Sequence, residues 1–182
     1  MNSNDQKTSS RATLNYRGLR VKDSEAIADI MSKPQVFHGL SSMPYTSEMV
    51  VKDLMADTEH KHWVIAELNG KVTGFIYLTW PSGRWRRVAS LAMGVSDEAT
   101  GQGIGFNLLK KALHTGFMYL DFERIELVVY QDNEAAIAIY KKIGLVNEGA
   151  RKAQVIREGI YFDSYLMGIT KSDYLSTHNK NK

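Results

Sequence analysis

The chain has 182 residues, of which 43% are hydrophobic and 24% are charged, values typical of one globular domain with a sizeable core. It contains no cysteine, which excludes disulfides, thiolate metal sites and a cysteine nucleophile, and we expect no metal site. The net charge of +3 suits an anionic small ligand at least as well as a polynucleotide. Because the basic residues are dispersed along the chain, we expect no nucleic-acid partner.

The ends of the chain differ in character from its middle. Residues 1–11 and 172–182 are polar without an apolar period and are predicted to be tails, the first of them flexible. Residues 12–171 are predicted to form one domain. No segment approaches the ~18 consecutive apolar residues of a membrane span, and the N-terminus lacks the apolar core of a signal peptide. We therefore expect a cytoplasmic protein with no membrane partner.

The first part of the domain begins with a predicted strand over residues 12–20. Asp23 is a candidate N-cap for the amphipathic helix that follows. Residues 33–46 contain two prolines and a glycine and are predicted to be a loop. Ser47 is a candidate N-cap for a second helix that runs to about residue 58.

The middle of the chain carries the clearest hairpin signal. Asn69-Gly70 separates two β-rich runs and supplies the positive φ angles of a tight turn. The remaining predicted elements are a strand over about 86–95, a helix over 101–120, a strand over 125–130, a helix over 133–143, and strands over 145–156 and 160–169. This order predicts an α+β fold with one central sheet and at least one parallel pairing near its middle.

A glycine-rich turn, Thr100-Gly101-Gln102-Gly103-Ile104-Gly105, lies between a predicted strand and a predicted helix. Unpaired N–H groups and the positive dipole end of a helix can hold a phosphate there, and glycines let it approach closely. A tight turn without a ligand is the alternative. The alternating glycines do not match G-x-G-x-x-G, and no Lys-Ser/Thr follows, so the turn indicates neither a Rossmann nor a P-loop site.

A second pattern pairs Asn133 with Tyr140 in the segment DNEAAIAIYKKIGL. Their spacing of seven residues is two helical turns, so both side chains project from one face, about 10.5 Å apart along the axis. Asn133 could instead be a simple helix cap, and Tyr140 a core aromatic.

Together these two motifs make the chain resemble the GCN5-related N-acetyltransferase (GNAT) superfamily over about residues 14–169. The acetyl-CoA motif of that family is Arg/Gln-x-x-Gly-x-Gly/Ala, and Thr100 stands here at its first position. Its second motif is Asn-x-x-Ala-x-x-x-Tyr-x-x-x-Gly-Phe, with Leu145 here in place of phenylalanine. The resemblance implies the GNAT fold, a single mixed, mostly antiparallel sheet of about seven strands with about four flanking helices. Within the family, the chain looks most like the branch that includes L-amino-acid (Phe/Met), ribosomal-protein-alanine and spermidine acetyltransferases.

The resemblance also implies acetyl-CoA as cosubstrate and roles for individual residues. Tyr140 would be the general acid that protonates the departing CoA thiolate, which suits a phenol because its pKa is near 10 and that of a thiol near 8.5. Asn133 would hydrogen-bond the pantetheine region of acetyl-CoA. The backbone of residues 93–95 would also pair with the pantetheine. The other residues implied to contact acetyl-CoA are Met93, Gly94, Val95, Gln102, Gly103, Ile104, Gly105, Phe106, Ala136 and Lys142. For Lys142, a solvated helix position is the alternative.

The acceptor side is less defined. In the superfamily the first two helices and their connection shape the acceptor pocket, and here that connection offers Phe37, His38 and Tyr45 as candidate substrate contacts. It has no acidic residue between positions 33 and 47, which disfavours a polyamine and favours an amino acid with an apolar side chain. Glu126 is a candidate general base, and a surface carboxylate that faces away is the alternative.

These observations predict an acetyl-CoA-dependent N-acetyltransferase that acts on the primary amine of a small molecule such as an L-amino acid. Without a cysteine, direct attack by the amine in a ternary complex is the simplest mechanism. A protein N-terminal or polyamine acetyltransferase is one alternative, and a catalytically silent CoA-binding module is another. Because family members are often dimers, the resemblance also implies a homodimer.

Overall fold

The computed structural model describes residues 12–178. Its strands are β1 Leu14–Arg17, β2 Lys61–Leu68, β3 Lys71–Thr79, β4 Val88–Val95, β5 Arg124–Tyr130, β6 Val146–Arg157 and β7 Ile160–Thr170. They form one sheet in the order β1-β2-β3-β4-β5-β7-β6. Between the described strands, only β4 and β5 pair in parallel. The predicted α+β class, the seven strands and the parallel pairing near the middle are confirmed.

Helices lie on both faces of the sheet. They are α1 Ser24–Met31, α2 Pro34–Gly39, α3 Glu48–Ala56, α4 Ile104–Met118, α5 Glu134–Ile143 and α6 Lys171–His178. One apolar cluster joins α4 and α5 to the sheet, and a second joins α1, α2 and α3 to β2 and β3. The second cluster stops short of β5, where Val128 remains 40% exposed. Within residues 12–178, no helix combines the length and the apolar character that crossing a membrane requires.

Local sequence signals explain several boundaries of these elements. Asn69 and Gly70 adopt φ angles of 51° and 81°, and the predicted hairpin of β2 and β3 forms around them. The Ser47 side chain accepts a hydrogen bond from the Val50 N–H at 3.4 Å, so the predicted cap of α3 is also confirmed. Gly144 ends α5 in the left-handed conformation, a common way to close a helix.

Two predicted irregular segments are helical instead. The segment 33–46 contains α2, because Pro34 occupies the first turn of a helix, where a missing N–H is tolerated. The segment 172–182, predicted to be a tail, begins within α6, where Tyr174 packs against Phe117 with ring centroids 5.0 Å apart. The chain therefore has six described helices rather than about four. The predicted tail 1–11 and residues 179–182 lie outside the described residues.

Asp23 connects the first strand to the first helix, although its side chain makes none of the predicted capping hydrogen bonds to α1. It is 2% exposed, and its carboxylate accepts hydrogen bonds from Arg17 Nη1 at 2.8 Å and from the Arg20 N–H at 2.8 Å. Arg17 also donates from Nε to Glu67 on β2 at 2.8 Å. Burial alone would raise the pKa of Asp23, but the bonds from Arg17 and Arg20 outweigh burial and lower it.

We expect Asp23→Asn to lower the free energy of unfolding at pH 7 by about 1–3 kcal/mol, because Arg17 then loses a buried charged partner. The pKa of Asp23 in the folded protein lies below its unfolded value near 3.9. The contribution of Asp23 to the free energy of unfolding is therefore fully present above about pH 3.9 and is lost as the pH falls through the folded-state pKa. The free energies of unfolding of the variant and the wild type, measured by denaturant titration, should therefore converge at acid pH. Asp29→Asn, at an exposed position of α1, is the control. A difference between Asp23→Asn and wild type that is unchanged at pH 2 would contradict this account.

Candidate active site

β4 and β5 separate soon after they pair. Their parallel register covers residues 88–90 and 124–126. Beyond it, β4 stays paired with β3 as far as Val95, and β5 stays paired with β7 as far as Tyr130. The backbone N–H and C=O groups that face the gap have no strand partner and are available to a ligand. Two clefts meet at this gap, and we call them the helix-side cleft and the loop-side cleft.

The helix-side cleft has a volume of about 420 Å³. It is lined by the end of β4, the glycine-rich turn, the first turn of α4 and one face of α5, with a contribution from α2. The predicted acetyl-CoA contacts that line it are Met93, Gly94, Val95, Gly103, Ile104, Gly105, Phe106, Asn133, Ala136, Tyr140 and Lys142. Gln102 does not line it, because its side-chain amide donates instead to the Glu98 carbonyl at 3.4 Å.

The glycine-rich turn presents the N-terminus of α4 to this cleft. Gly103 stands at the N-cap with a φ of 75°, in the left-handed region that favours glycine. The first bond of the helix runs from the Asn107 N–H to the Gly103 carbonyl at 3.1 Å. The N–H groups that precede Asn107 therefore have no partner within the helix, and the helix dipole makes this end attractive to an anion. The Thr100 hydroxyl donates to the Ser96 carbonyl at 3.4 Å.

Asn133 both caps α5 and faces α2. Its Oδ1 accepts a hydrogen bond from the Ala136 N–H at 3.2 Å, as the capping alternative predicts. Its Nδ2 would lie only 3.0 Å from a Cβ on Gly39, so the glycine allows the end of α2 to approach α5 closely. The Nδ2 donates to no described group, which leaves the amide free to contact a ligand while it caps the helix.

Tyr140 is buried where the two clefts meet. It is 7% exposed and lines both of them. Burial raises the pKa of Tyr140 to about 12, so its hydroxyl remains protonated at neutral pH. That hydroxyl makes no hydrogen bond to a described residue. Tyr140 can therefore donate its proton to a ligand that spans both clefts.

The loop-side cleft has a volume of about 390 Å³ and is bounded by residues 39–41, β4, β5 and β6. The Tyr130 hydroxyl donates to the Leu40 carbonyl at 2.9 Å and ties the loop after α2 to β5. Glu126 lines this cleft rather than facing away, and its Oε2 accepts from Arg124 Nε at 2.8 Å. Arg124 also donates to Glu148 Oε1 at 2.7 Å, so it is held between two carboxylates.

The candidate acceptor residues predicted from the sequence line neither cleft. Phe37 and His38 lie on α2, where their rings contact each other with centroids 5.7 Å apart. Tyr45 is 97% exposed. The helical turn of α2, which the sequence did not predict, directs Phe37 and His38 away and brings Gly39 and the residues after it to the cleft.

Sequence reasoning also missed the contribution of β6 to the loop-side cleft, where Arg151, Gln154 and Val155 lie. No local pattern in the segment Glu148-Gly149-Ala150-Arg151-Lys152 indicated where Arg151 would lie. Within residues 12–178, no group of three or more His, Asp or Glu side chains is placed to hold a metal ion.

Comparison with known families identifies the chain. The family model described as Acetyltransferase (GNAT) family matches residues 25–145, more than half of the sequence. The chain belongs to the GNAT family. The matched residues include the glycine-rich turn, α4, β5 and α5, which form the helix-side cleft.

Several GNAT relatives match most of the chain. It is 30% identical over 156 residues to the L-amino acid N-acetyltransferase AaaT of Escherichia coli (strain K12), covering 85% of this chain and 96% of the relative. It is 27% identical over 170 residues to the spermidine N(1)-acetyltransferase of the same strain, covering 91% and 90%. The spermidine N-acetyltransferase from Vibrio cholerae, solved in complex with CoA and spermine, has a TM-score of 0.79 at 25% identity and covers 89% and 98%. The protein is thus an acetyl-CoA-dependent N-acetyltransferase.

If the turn before α4 binds acetyl-CoA in this GNAT protein, Gly103→Ala should weaken that binding about 10-fold or more, because a side chain disfavours the left-handed conformation by about 1–2 kcal/mol and relaxation moves the N–H groups. Calorimetric titration with acetyl-CoA measures the effect. Gly83→Ala is the matched control. Gly83 has a φ of 74°, a Cβ added there would meet open space, and the residue lines neither cleft. Equal affinity in the two variants would remove the turn from the binding site.

Proposed function

We propose that the protein transfers the acetyl group of acetyl-CoA to the amine of a small molecule by direct attack in a ternary complex. We further propose that the acceptor is an L-amino acid with an apolar side chain. The observation that carries this proposal is that Gly39, Met93, Val128 and Tyr140 line both clefts. A thioester in the helix-side cleft and an amine in the loop-side cleft would meet beside the Tyr140 hydroxyl.

In the proposed reaction Tyr140 is the proton donor. The amine nitrogen attacks the carbonyl carbon of the thioester, the new N–C bond forms, and the C–S bond breaks to release a thiolate. The Tyr140 hydroxyl donates its proton to the sulfur and is later reprotonated from solvent. The proton transfer moves the negative charge from the sulfur to the Tyr140 oxygen, and the proton that Tyr140 then takes from solvent removes this charge from the buried site.

Two further groups support the transfer. Backbone N–H groups of β4 that face the gap can donate to the carbonyl oxygen as negative charge develops on it. Glu126 can take the proton that the amine loses, because only its Oε2 is bonded to Arg124 and its Oε1 accepts from no described group. Glu126 lines only the loop-side cleft, whereas Tyr140 lines both clefts.

The charge of the loop-side cleft favours an amino acid over a polyamine. Glu126 is the only acidic residue among the described residues that line it, and it is already paired with Arg124. A polyamine presents several cations and would need several carboxylates. Leu40, Val128 and Val155 provide an apolar wall for an apolar side chain. The relation to an L-amino acid N-acetyltransferase supports the same choice, whereas the spermidine relatives support the competing one.

An acceptor panel tests the proposed function. We expect acetyl-CoA to raise the melting temperature, and thiol release to be fastest with L-methionine or another apolar L-amino acid, and slower with spermidine or a peptide N-terminus. Faster release with spermidine would identify a polyamine acetyltransferase, and faster release with a peptide would identify a protein N-terminal one. Stabilisation by acetyl-CoA without release on any amine would contradict acetyl transfer.

Tyr140→Phe should lower kcat by about 100-fold or more, because the thiolate then lacks its proton donor, with acetyl-CoA affinity unchanged. Since the pKa of Tyr140 is about 12, wild-type kcat should show no loss from deprotonation of Tyr140 at any pH below about 10. Single-turnover kinetics and a pH profile measure both effects. Tyr119→Phe, at an exposed position outside both clefts, is the control. Unchanged turnover in Tyr140→Phe would rule out this role.

A further inference from the structure

We infer that Arg151 binds the carboxylate of the acceptor, so that the loop-side cleft holds a zwitterion between Arg151 and Glu126. This inference rests on the proposed function and specifies its substrate class. It assigns the acceptor ammonium group to the carboxylate of Glu126 and the acceptor carboxylate to the guanidinium of Arg151. Both residues line the same cleft, and they are its two charged residues among those described.

Arg151 differs from its cationic neighbours because it has no partner among the described residues. Arg124 is held by Glu126 and Glu148. The other cations of β6 are also paired, Lys152 with Asp163 at 2.7 Å and Arg157 with Asp132 at 2.6 Å. The Arg151 guanidinium therefore keeps all of its N–H donors for a ligand, in a planar arrangement that matches a carboxylate.

A bulge in β6 directs this part of the strand toward the cleft. Arg151 pairs with Ser164 and Val155 pairs with Phe162, so three residues of β6 lie opposite one residue of β7. The Asp163 carboxylate accepts from the Ala153 N–H at 2.9 Å, and Ala153 adopts a φ of 50° that is unusual for a residue with a side chain.

The bulge has a direct consequence for the cleft. In a regular strand, residues 154 and 155 would face opposite sides of the sheet, but here both of them line the cleft together with Arg151. The Ser164 hydroxyl also donates to the Gln154 side chain and holds it in place. Bulges that redirect side chains in this way are common beside active sites.

The spacing of the two charged residues also fits an amino acid. Ser164 on β7 pairs with Arg151 on one side and with Tyr130 on the other, so Arg151 and Tyr130 lie at the same position along the strands. Tyr130 lies four residues beyond Glu126 on β5. The backbones of Arg151 and Glu126 are therefore about 13 Å apart along the strands and about 10 Å apart across them. That separation is too long for direct contact, and no ion pair joins them. Two extended side chains with an α-amino acid between them would span it.

Arg151 would also select against competing amines. A second ammonium group of a polyamine would be repelled by the unpaired guanidinium, and an amino acid amide would lack the charge that it binds. Arg151 would therefore act on the affinity for the acceptor, whereas Tyr140 acts on the chemical step.

The test compares L-methionine with L-methioninamide, which differ only in the carboxylate. In wild type, kcat/KM should favour L-methionine. In Arg151→Met, the KM for L-methionine should rise about 10- to 100-fold with kcat retained, and the KM for L-methioninamide should change little. Arg151→Lys, which keeps the charge but not the planar donors, should fall between them. Arg84→Met, which removes another arginine without a described partner from a position outside both clefts, is the control.

Melting temperatures of all variants show whether each is folded. Equal kcat/KM values for L-methionine and L-methioninamide in wild type would overturn the assignment. An equal rise of KM for both substrates in Arg151→Met would also overturn it. A binding measurement separates it from the proposed function, using calorimetry of N-acetyl-L-methionine with CoA present. Arg151-dependent binding without thiol release on any amine would support the carboxylate site and contradict acetyl transfer. Failure of wild type to bind N-acetyl-L-methionine would contradict the carboxylate site.

Discussion

The parallel pairing of β4 with β5 is short, because each of these strands remains fully paired with its other neighbour while the two diverge. The divergence interrupts the sheet at its centre and leaves backbone donors and acceptors without strand partners. In a continuous sheet these groups would be used by the ladder. The gap is therefore the one place in the described sheet where an extended ligand can pair with a central strand, and both clefts depend on it.

Helices complete the site because of where the gap lies. The N-termini of α4 and α5 both border the helix-side cleft, one with free N–H groups and the other with Asn133. Tyr140 lies at the C-terminal half of α5, deep enough that its hydroxyl stays protonated and free of described partners. The helix end that attracts an anion and the buried Tyr140 hydroxyl thus come from different ends of two helices, which the apolar cluster holds against the sheet.

The other face of the gap is defined by ionic interactions. Arg124 lies between Glu126 and Glu148 and holds the Glu126 carboxylate at the edge of the loop-side cleft. The Tyr130 hydroxyl fixes the loop after α2 above it. The second apolar cluster, which joins α1, α2 and α3 to β2 and β3, ends before β5, so this surface stays open instead of being filled by core side chains. One sheet face thus has a part filled by core side chains and an open part, which forms the loop-side cleft.

The sequence by itself determined the elements with local signals, such as the Asn69-Gly70 hairpin and the capped helix after Ser47. It also determined the two motifs that line the helix-side cleft, because helical spacing places Asn133 and Tyr140 on one face whatever surrounds them. It did not reveal α2, since Pro34 is equally compatible with a loop and with a first helical turn. Only the tertiary structure decided the loop-side cleft, which residues 39–41, Glu126 and Arg151 line from distant parts of the chain. Their placement around one cleft depends on strand register and on the bulge of β6, which are set by long-range pairing and have no local pattern in the sequence.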